Sequence, residues 1–396
     1  MSITPPEPVA YPFDFGPGLD MNEAYEAARD TDGLLRVKLP FGEPGWLATR
    51  YADVRQVFGD KRFSRALAKQ NDPPRMFPTA LETGILAEDP PDHTRLRRLV
   101  AQAFTMHRVE DMRPWVRDLA EGLLDDLMAK GSTGELVEDY ALPLPVAVIT
   151  ELLGVPDLDR PKFRKWSDAS LSTAQLTVEE AVANRNGLRE YLAEFIADHR
   201  ENPRDDLMSA LIQARDVDDR LTELELVDMC VGLLIGGHET TASEIPNFVY
   251  VLLEYPQEWK RLLAEPELIP SAVEELTRYV PLGAGATFSR YATEDIEIGG
   301  VVVKKGEAVL GAIGPANRDP RRFEDPDTLR LDREGNQHLG FGHGVHHCLG
   351  AQLARLELQE SLRALLTKMP DLHLTGDVEW KTQRLVRSPR RMPVGW

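Results

Sequence analysis

Near the C-terminus the chain reads Phe341-Gly-His-Gly-Val-His-His-Cys-Leu-Gly350, and no other stretch restricts its folding as tightly. Three glycines within ten residues free the backbone to adopt angles closed to other residues, which permits a tight loop whose amide N–H groups turn toward one atom. Cys348 sits where such a loop would converge. A thiolate is a strong donor to a metal, and it needs shelter from protonation and oxidation. Phe341 can cover the sulfur, and Gly350 lets the following helix begin close to a flat ligand. Two plainer readings stand beside this one. One is a buried free thiol; the other is a zinc cluster of His343, His346, His347 and Cys348, which lacks a second ligand pair at the usual spacing.

A second segment, Leu233-Leu-Ile-Gly-Gly-His-Glu-Thr-Thr241, interrupts an apolar helix with two glycines and then sets an acid beside two hydroxyls. Each glycine costs about 1 kcal/mol relative to alanine in a helix interior. Thr240 follows Gly236 by four residues, so its hydroxyl can bond back to that carbonyl, bend the helix and open a groove for a small ligand. Pro246 weakens the ladder further. Glu239 and Thr240 together make a carboxylate–hydroxyl proton relay; the bland alternative is a glycine kink with a solvated glutamate.

Apolar residues at helical spacing fill Val116 to Met128, Leu188 to Phe195, Leu224 to Leu234 and Leu353 to Leu366. Strand signals flank the turn Pro40-Phe-Gly-Glu-Pro-Gly45 and recur from Ile296 to Val303. The expected fold is mainly α with small β-sheets. With no repeat, linker or low-complexity tract, a single domain over residues 1–396 is expected, preceded by a loosely ordered, proline-rich arm over 1–12. The net charge of −19 argues against nucleic acid and anionic membranes as partners. The most apolar stretch, Val231 to Gly237, is too short to span a bilayer, and the N-terminus lacks a secretory pattern, so a cytoplasmic protein is expected. Two cysteines cannot build a disulfide framework, and Cys230 reads as a small core residue.

With Gly350-Ala351 and Leu353-Ala-Arg355 after it, the cysteine loop resembles the haem-binding signature of the cytochrome P450 family at every fixed position. The likeness runs from the Trp46 hairpin through Asp60-Lys-Arg-Phe-Ser64 to Arg391-Met-Pro-Val394. It implies a cytochrome P450-like fold with haem b (iron protoporphyrin IX) between a long central helix and the loop. Cys348 then matches the iron ligand, and Glu239 and Thr240 match the acid–alcohol pair that serves O2 activation. His93, Arg97, Arg290 and His346 match the family's propionate partners, while Phe341, Gly237 and Gly350 border the cofactor. Glu275 and Arg278 match its buried structural pair, with Arg322 completing the network. Leu233, Gly237, Thr241, Ala284, Gly285, Ala286 and Val386 are expected to wall the substrate pocket, where the small residues leave room for a bulky molecule.

The subgroup it resembles, through Glu274-Glu-Leu-Thr-Arg-Tyr-Val-Pro-Leu282 and Asn336-Gln-His-Leu-Gly-Phe341, tailors macrolides and other antibiotics in bacteria. This implies hydroxylation or epoxidation of a hydrophobic small molecule by a monomeric monooxygenase. The chain has no room for a reductase domain, so electrons are expected from a ferredoxin and ferredoxin reductase. The basic patch Arg95, Arg97, Arg98 and Arg108 is a candidate docking face on an acidic background. Oxidative C–C or C–N coupling of aromatic substrates such as cyclic dipeptides is the enzymatic alternative. A non-catalytic haem gas sensor would need no acid–alcohol pair, and a zinc hydrolase is the remaining rival.

Overall fold

The computed structural model describes residues 6–13, 18–30, 33–76, 84–155, 166, 178–204, 206–216, 221–283, 288–381 and 386–396. The chain forms two compact units, one from residues 1–92 and 274–348, the other from 93–273 and 349–396. Helices dominate, as the apolar periodicity requires.

The first unit is organised on a six-stranded sheet, in the order Val9–Ala10, Leu35–Lys38, Gly45–Ala48, Ala308–Gly311, Arg290–Ala292, Phe63–Ser64. The expected early hairpin supplies its second and third strands: Leu35–Lys38 runs antiparallel to Gly45–Ala48, with Arg36 opposite Trp46. Glu307 accepts hydrogen bonds from Arg36 Nη1 at 3.0 Å and from Trp46 Nε1 at 2.8 Å, pairing the polar atoms of both strands. Ile296–Ile298 and Val301–Val303 form the second hairpin, turning on Gly299 and Gly300 at φ +54° and +82°. Positive φ at both central residues matches the twist of the flanking strands, which is why two glycines stand there. The helix Tyr51–Gly59 packs Val54, Val57 and Phe58 into a core with Trp46, Phe63 and Val309.

The last residues of the expected arm are built into the sheet, while residues 1–5 lie outside the described residues. Val9–Ala10 pairs in parallel with Val37–Lys38, and Tyr11 is buried, its ring edge-on to Phe13 and Tyr25. Aromatic burial and an open strand edge outweigh the polar composition here.

The second unit packs its helices around Glu223–Glu254, thirty-two residues and roughly 48 Å long. A capping box starts it: Glu225 N donates to Thr222 Oγ1 at 3.2 Å and Thr222 N to Glu225 Oε2 at 2.7 Å. The helix runs unbroken through Gly236, Gly237 and Pro246, so the expected interruption is absent. Packing on Pro143–Leu153 and Ala351–Lys368 offsets the propensity cost of the two glycines. On the helix Arg113–Met128, Val116, Ala120, Leu124 and Leu127 form one buried stripe. Glu360, almost wholly buried on Ala351–Lys368, takes Arg113 Nη1 at 2.6 Å and Arg117 Nε at 2.8 Å, clamping these two helices together. Cys230 is buried on the long helix, and burial pushes its thiol up to about 12, in keeping with a core role. No helix among the described residues is long and apolar enough to cross a membrane.

Glu357 sits three residues before Glu360 without a salt bridge among the described residues, and burial holds its carboxyl well above the ordinary range. A group with a raised folded-state value binds its proton more tightly in the fold than in the unfolded chain. Stability is therefore lost as pH rises from the ordinary carboxylate value of about 4.3 toward neutrality. Glu357→Gln removes its share of that slope, Glu244 keeping its own: the Tm of the variant should fall less steeply than that of the wild type over this range. Parallel curves for the two proteins would count against it.

Candidate active site

The cysteine loop belongs to the first unit. Cys348 N donates to Phe341 O at 2.8 Å and His347 N to Gly344 O at 3.0 Å, closing a tight ring that includes a single 3-10 turn, Gly344–His346. Gly342 and Gly344 have φ of +73° and +74°. At Gly344 the restriction is steric as well: a Cβ there would lie 2.3 Å from Phe58 O. The end of the helix Tyr51–Gly59 thus seats the loop, and the His343 ring lies against Gly59. Burial, and then the charge of Arg55, hold the His343 imidazole below its usual range. Arg290, on a central strand, is buried with its guanidinium 4.3 Å from the Phe58 ring centroid. Arg290 and the loop therefore share Phe58 as a common support. Cys348 is exposed, and no cluster of metal-ligating side chains is found among the described residues, which leaves the zinc reading without support.

Behind the loop lies a network around Glu275, on the helix Ile269–Tyr279. Glu275 and Arg278 are both fully buried side chains, and Arg278 meets the carboxylate with Nε at 2.8 Å and Nη2 at 2.7 Å. The third member is Arg333, whose Nε reaches both carboxylate oxygens at 3.0 and 3.1 Å; Asn336 Nδ2 and Arg330 N add further hydrogen bonds. Arg322 does not join. Its guanidinium lies over Tyr51 and Phe323 and donates to Gly335 O. Arg278 also donates to the carbonyls of Asn317 and Pro326, and Asn317 Oδ1 accepts from Leu339 N at 2.7 Å, two residues before the loop.

In the second unit, Thr240 Oγ1 donates to Gly236 O at 3.2 Å, the bond that the spacing predicts. Gly236 and Thr240 are exposed, and Leu233 is half-buried one turn earlier, so one stripe in the middle of the helix is open. A Cβ on Gly236 would meet nothing within 4 Å, whereas on Gly237 it would lie 2.7 Å from Ile149 Cδ1. Gly237 is thus required by packing against Pro143–Leu153, and the open position is Gly236. Thr241, expected in the pocket wall, is buried off the stripe because each residue turns the helix by about 100°. Glu239 is buried, with Oε1 accepting from Lys381 Nζ at 3.0 Å and Oε2 lacking a partner. Nothing in the sequence around Lys381 marks it as that partner. Burial holds Glu244, one turn on, well above the ordinary carboxylate range.

His93 is buried and Arg97 half-buried on one face of the helix Asp92–Ala101. Arg95 pairs with Glu225, while Arg98 and Arg108 are exposed, so the basic patch is partly neutralised. Gly350 begins Ala351–Lys368, and a Cβ there would approach only Phe104, at 3.9 Å. Val386 is half-buried. Ala284, Gly285 and Ala286 lie outside the described residues.

Each unit carries donors that fit haem. The first has an exposed thiol on a rigid loop and a buried guanidinium on the strand that shares its support; the second has a histidine and an arginine on one helix face and an open hydroxyl beside a buried acid. The cytochrome P450 family profile matches residues 28–370. The chain belongs to the cytochrome P450 family. It is 49% identical over 397 residues to mycinamicin IV hydroxylase/epoxidase of Micromonospora griseorubida, covering 100% of both chains. It is 50% identical to nocardicin C N-oxygenase of Nocardia uniformis subsp. tsuyamanensis, covering 98% of each. The crystal structure of HinD with NMFT and NO superposes with a TM-score of 0.96 at 46% identity, over 99% of this chain and 100% of that one. The P450 fold expected from the sequence is therefore present, and the chain is a P450 monooxygenase. Family membership implies a haem-thiolate cofactor.

Replacing Arg333 by alanine should destabilise the protein by about 1.5–3 kcal/mol, the range for a hydrogen bond to a charged partner, in urea unfolding. Arg322→Ala should cost clearly less. Equal losses would undo the assignment of Arg333 as the third member.

Proposed function

We propose that this P450 hydroxylates or epoxidises a bulky hydrophobic secondary metabolite of the macrolide or polyketide kind, with electrons from a separate ferredoxin and ferredoxin reductase. Full-length similarity to mycinamicin IV hydroxylase/epoxidase supports the substrate class. The observation that carries the oxygen-activating role is Thr240, exposed and bonded to Gly236 O, directly after a buried Glu239. A gas sensor has no need of that pair. We assign the whole chain to one domain, since the division between units at 273/274 falls inside the continuous helix Ile269–Tyr279. We place its work in the cytoplasm, where a reduced thiol persists.

Haem b, when bound, supplies the one-electron chemistry and the activation of O2. Cys348 would hold the iron as thiolate, kept in place by the ring of backbone hydrogen bonds from Phe341 to Cys348. His93, Arg97, Arg290 and His346 would hold the propionates, because a buried carboxylate requires cationic or hydrogen-bonding partners. Phe341 would shelter the sulfur from water. Glu239 would take up a proton, and the Thr240 hydroxyl would give one up while accepting one in return, so that the pair would supply protons to the O2 activation that haem carries out. Leu233 and Gly236 border the substrate, and Gly236 leaves room that alanine would fill.

The reduced protein under carbon monoxide should show the strongly red-shifted Soret band of thiolate-ligated haem; an unshifted band would exclude Cys348 as ligand. Thr240→Ala should divert electrons from product to peroxide in stoichiometric turnover assays, and unchanged coupling would overturn its role. The substrate class is tested by titrating macrolides, polyketides and aromatic cyclic dipeptides into the resting protein. Spectral shifts with the cyclic dipeptides alone would replace oxygen insertion into polyketides by the oxidative-coupling reading.

A further inference from the structure

Lys381 lies 142 residues from Glu239 in sequence, yet it supplies that carboxylate's ion pair. Glu239 is 1% exposed and the lysine side chain 16%, so the pair joins a buried oxygen to a partly solvated ammonium. Among the described residues no other side chain reaches the Glu239 carboxylate, and Oε2 is buried without a hydrogen bond. A carboxylate enclosed in this way without a cation would neutralise by taking a proton. One oxygen is thus fixed and one is left available.

The lysine is held in place by its own strand. Glu379–Trp380 pairs antiparallel with Pro389–Arg391, and Lys381 N donates to Ser388 O at 3.0 Å. The Trp380 ring meets Tyr250 edge-on at 5.0 Å, and Arg387 O accepts from Asn247 Nδ2 at 2.8 Å. Glu239, Asn247 and Tyr250 are spaced by eight and three residues, which puts them on one face of the long helix. The C-terminal hairpin is therefore docked along that face at three points, with Lys381 at the point nearest Thr240. The strand fixes the Lys381 backbone beside the long helix, within one side-chain length of the Glu239 carboxylate.

We propose that Lys381 is the positioning residue of the proton relay: it keeps Glu239 charged and ties down Oε1, so that Oε2 alone takes a proton and passes it toward the Thr240 hydroxyl. This rests on the relay role proposed for Glu239 and Thr240. Each transfer moves one proton and no electrons. Lys381 acts through Glu239 and touches no reacting atom.

The test uses the full-length, haem-loaded protein with the variants K381M, K381R and E239Q. Infrared spectra of the resting protein at neutral pH report whether Glu239 is a carboxylate or a carboxylic acid, with E239Q identifying its band. Turnover assays report the fraction of electrons lost as peroxide. K381M should convert the Glu239 band to the acid form and raise the peroxide fraction toward that of E239Q, while K381R should restore both readings to wild type. If K381M gives no thiolate carbon monoxide spectrum, K381Q takes its place. A purely structural lysine would leave the infrared band unmoved. Should E239Q uncouple the enzyme while K381M changes only one reading or neither, the role of Lys381 is wrong and the relay stands. Should E239Q itself leave coupling intact, the relay reading falls, and the role of Lys381 with it.

Discussion

A single buried carboxylate, Glu275, organises the part of this protein that presents the thiol. Its two oxygens receive Arg278, Arg333, Asn336 and the backbone N–H of Arg330. A carboxylate with no exposure and fewer donors would be costly, and removal of one partner of a buried pair is far more damaging than loss of a surface pair. Because Arg278 also holds the carbonyls of Asn317 and Pro326, and Asn317 holds Leu339 N, the entry to the cysteine loop is fixed from behind. The loop's own ring, from Phe341 to Cys348, then has few conformations left.

The same device recurs in the second unit with different degrees of saturation, and the difference separates structure from chemistry. Burial alone would raise the Glu360 carboxyl, but hydrogen bonds from Arg117 and Arg113 hold it below its ordinary range, and its work is to clamp two helices. Glu239 has one donor and one oxygen without a partner. Glu244 and Glu357 lack a cation, and burial drives both toward the neutral form. A saturated carboxylate has no lone pair to spare for a travelling proton; an undersaturated one does.

The parts of the site that were legible in the sequence share a property: they are local. The bond from Thr240 to Gly236 follows from helical spacing, and the demand for glycine at 342 and 344 follows from backbone angles. Gly237, expected beside cofactor and substrate, packs against Ile149, while Gly236 faces open space; the partner helix decides which glycine is open. Arg322, expected to complete the Glu275 network, lies instead over Tyr51 and Phe323, and Arg333, which no local pattern singles out, takes that place. Only Arg333 has its guanidinium beside the carboxylate. That Val9 to Tyr11, the end of the expected arm, pair with the sheet was not legible for a related reason: composition does not reveal a waiting strand edge.

The sequence by itself determined the loop that ends in Cys348, the helix bearing Glu239 and Thr240, and the mainly helical class with its two hairpins. These depend on torsion angles and on periodicities of a few residues, which the chain carries wherever it goes. The spacing of Glu275 and Arg278 is typical of exposed helix pairs, and their burial was expected only through the family resemblance; tertiary structure alone decided that Arg333 joins them and that Lys381 reaches Glu239. Ion pairing has no sequence period, so which charges meet is settled only when packing brings distant segments together and removes the water between them.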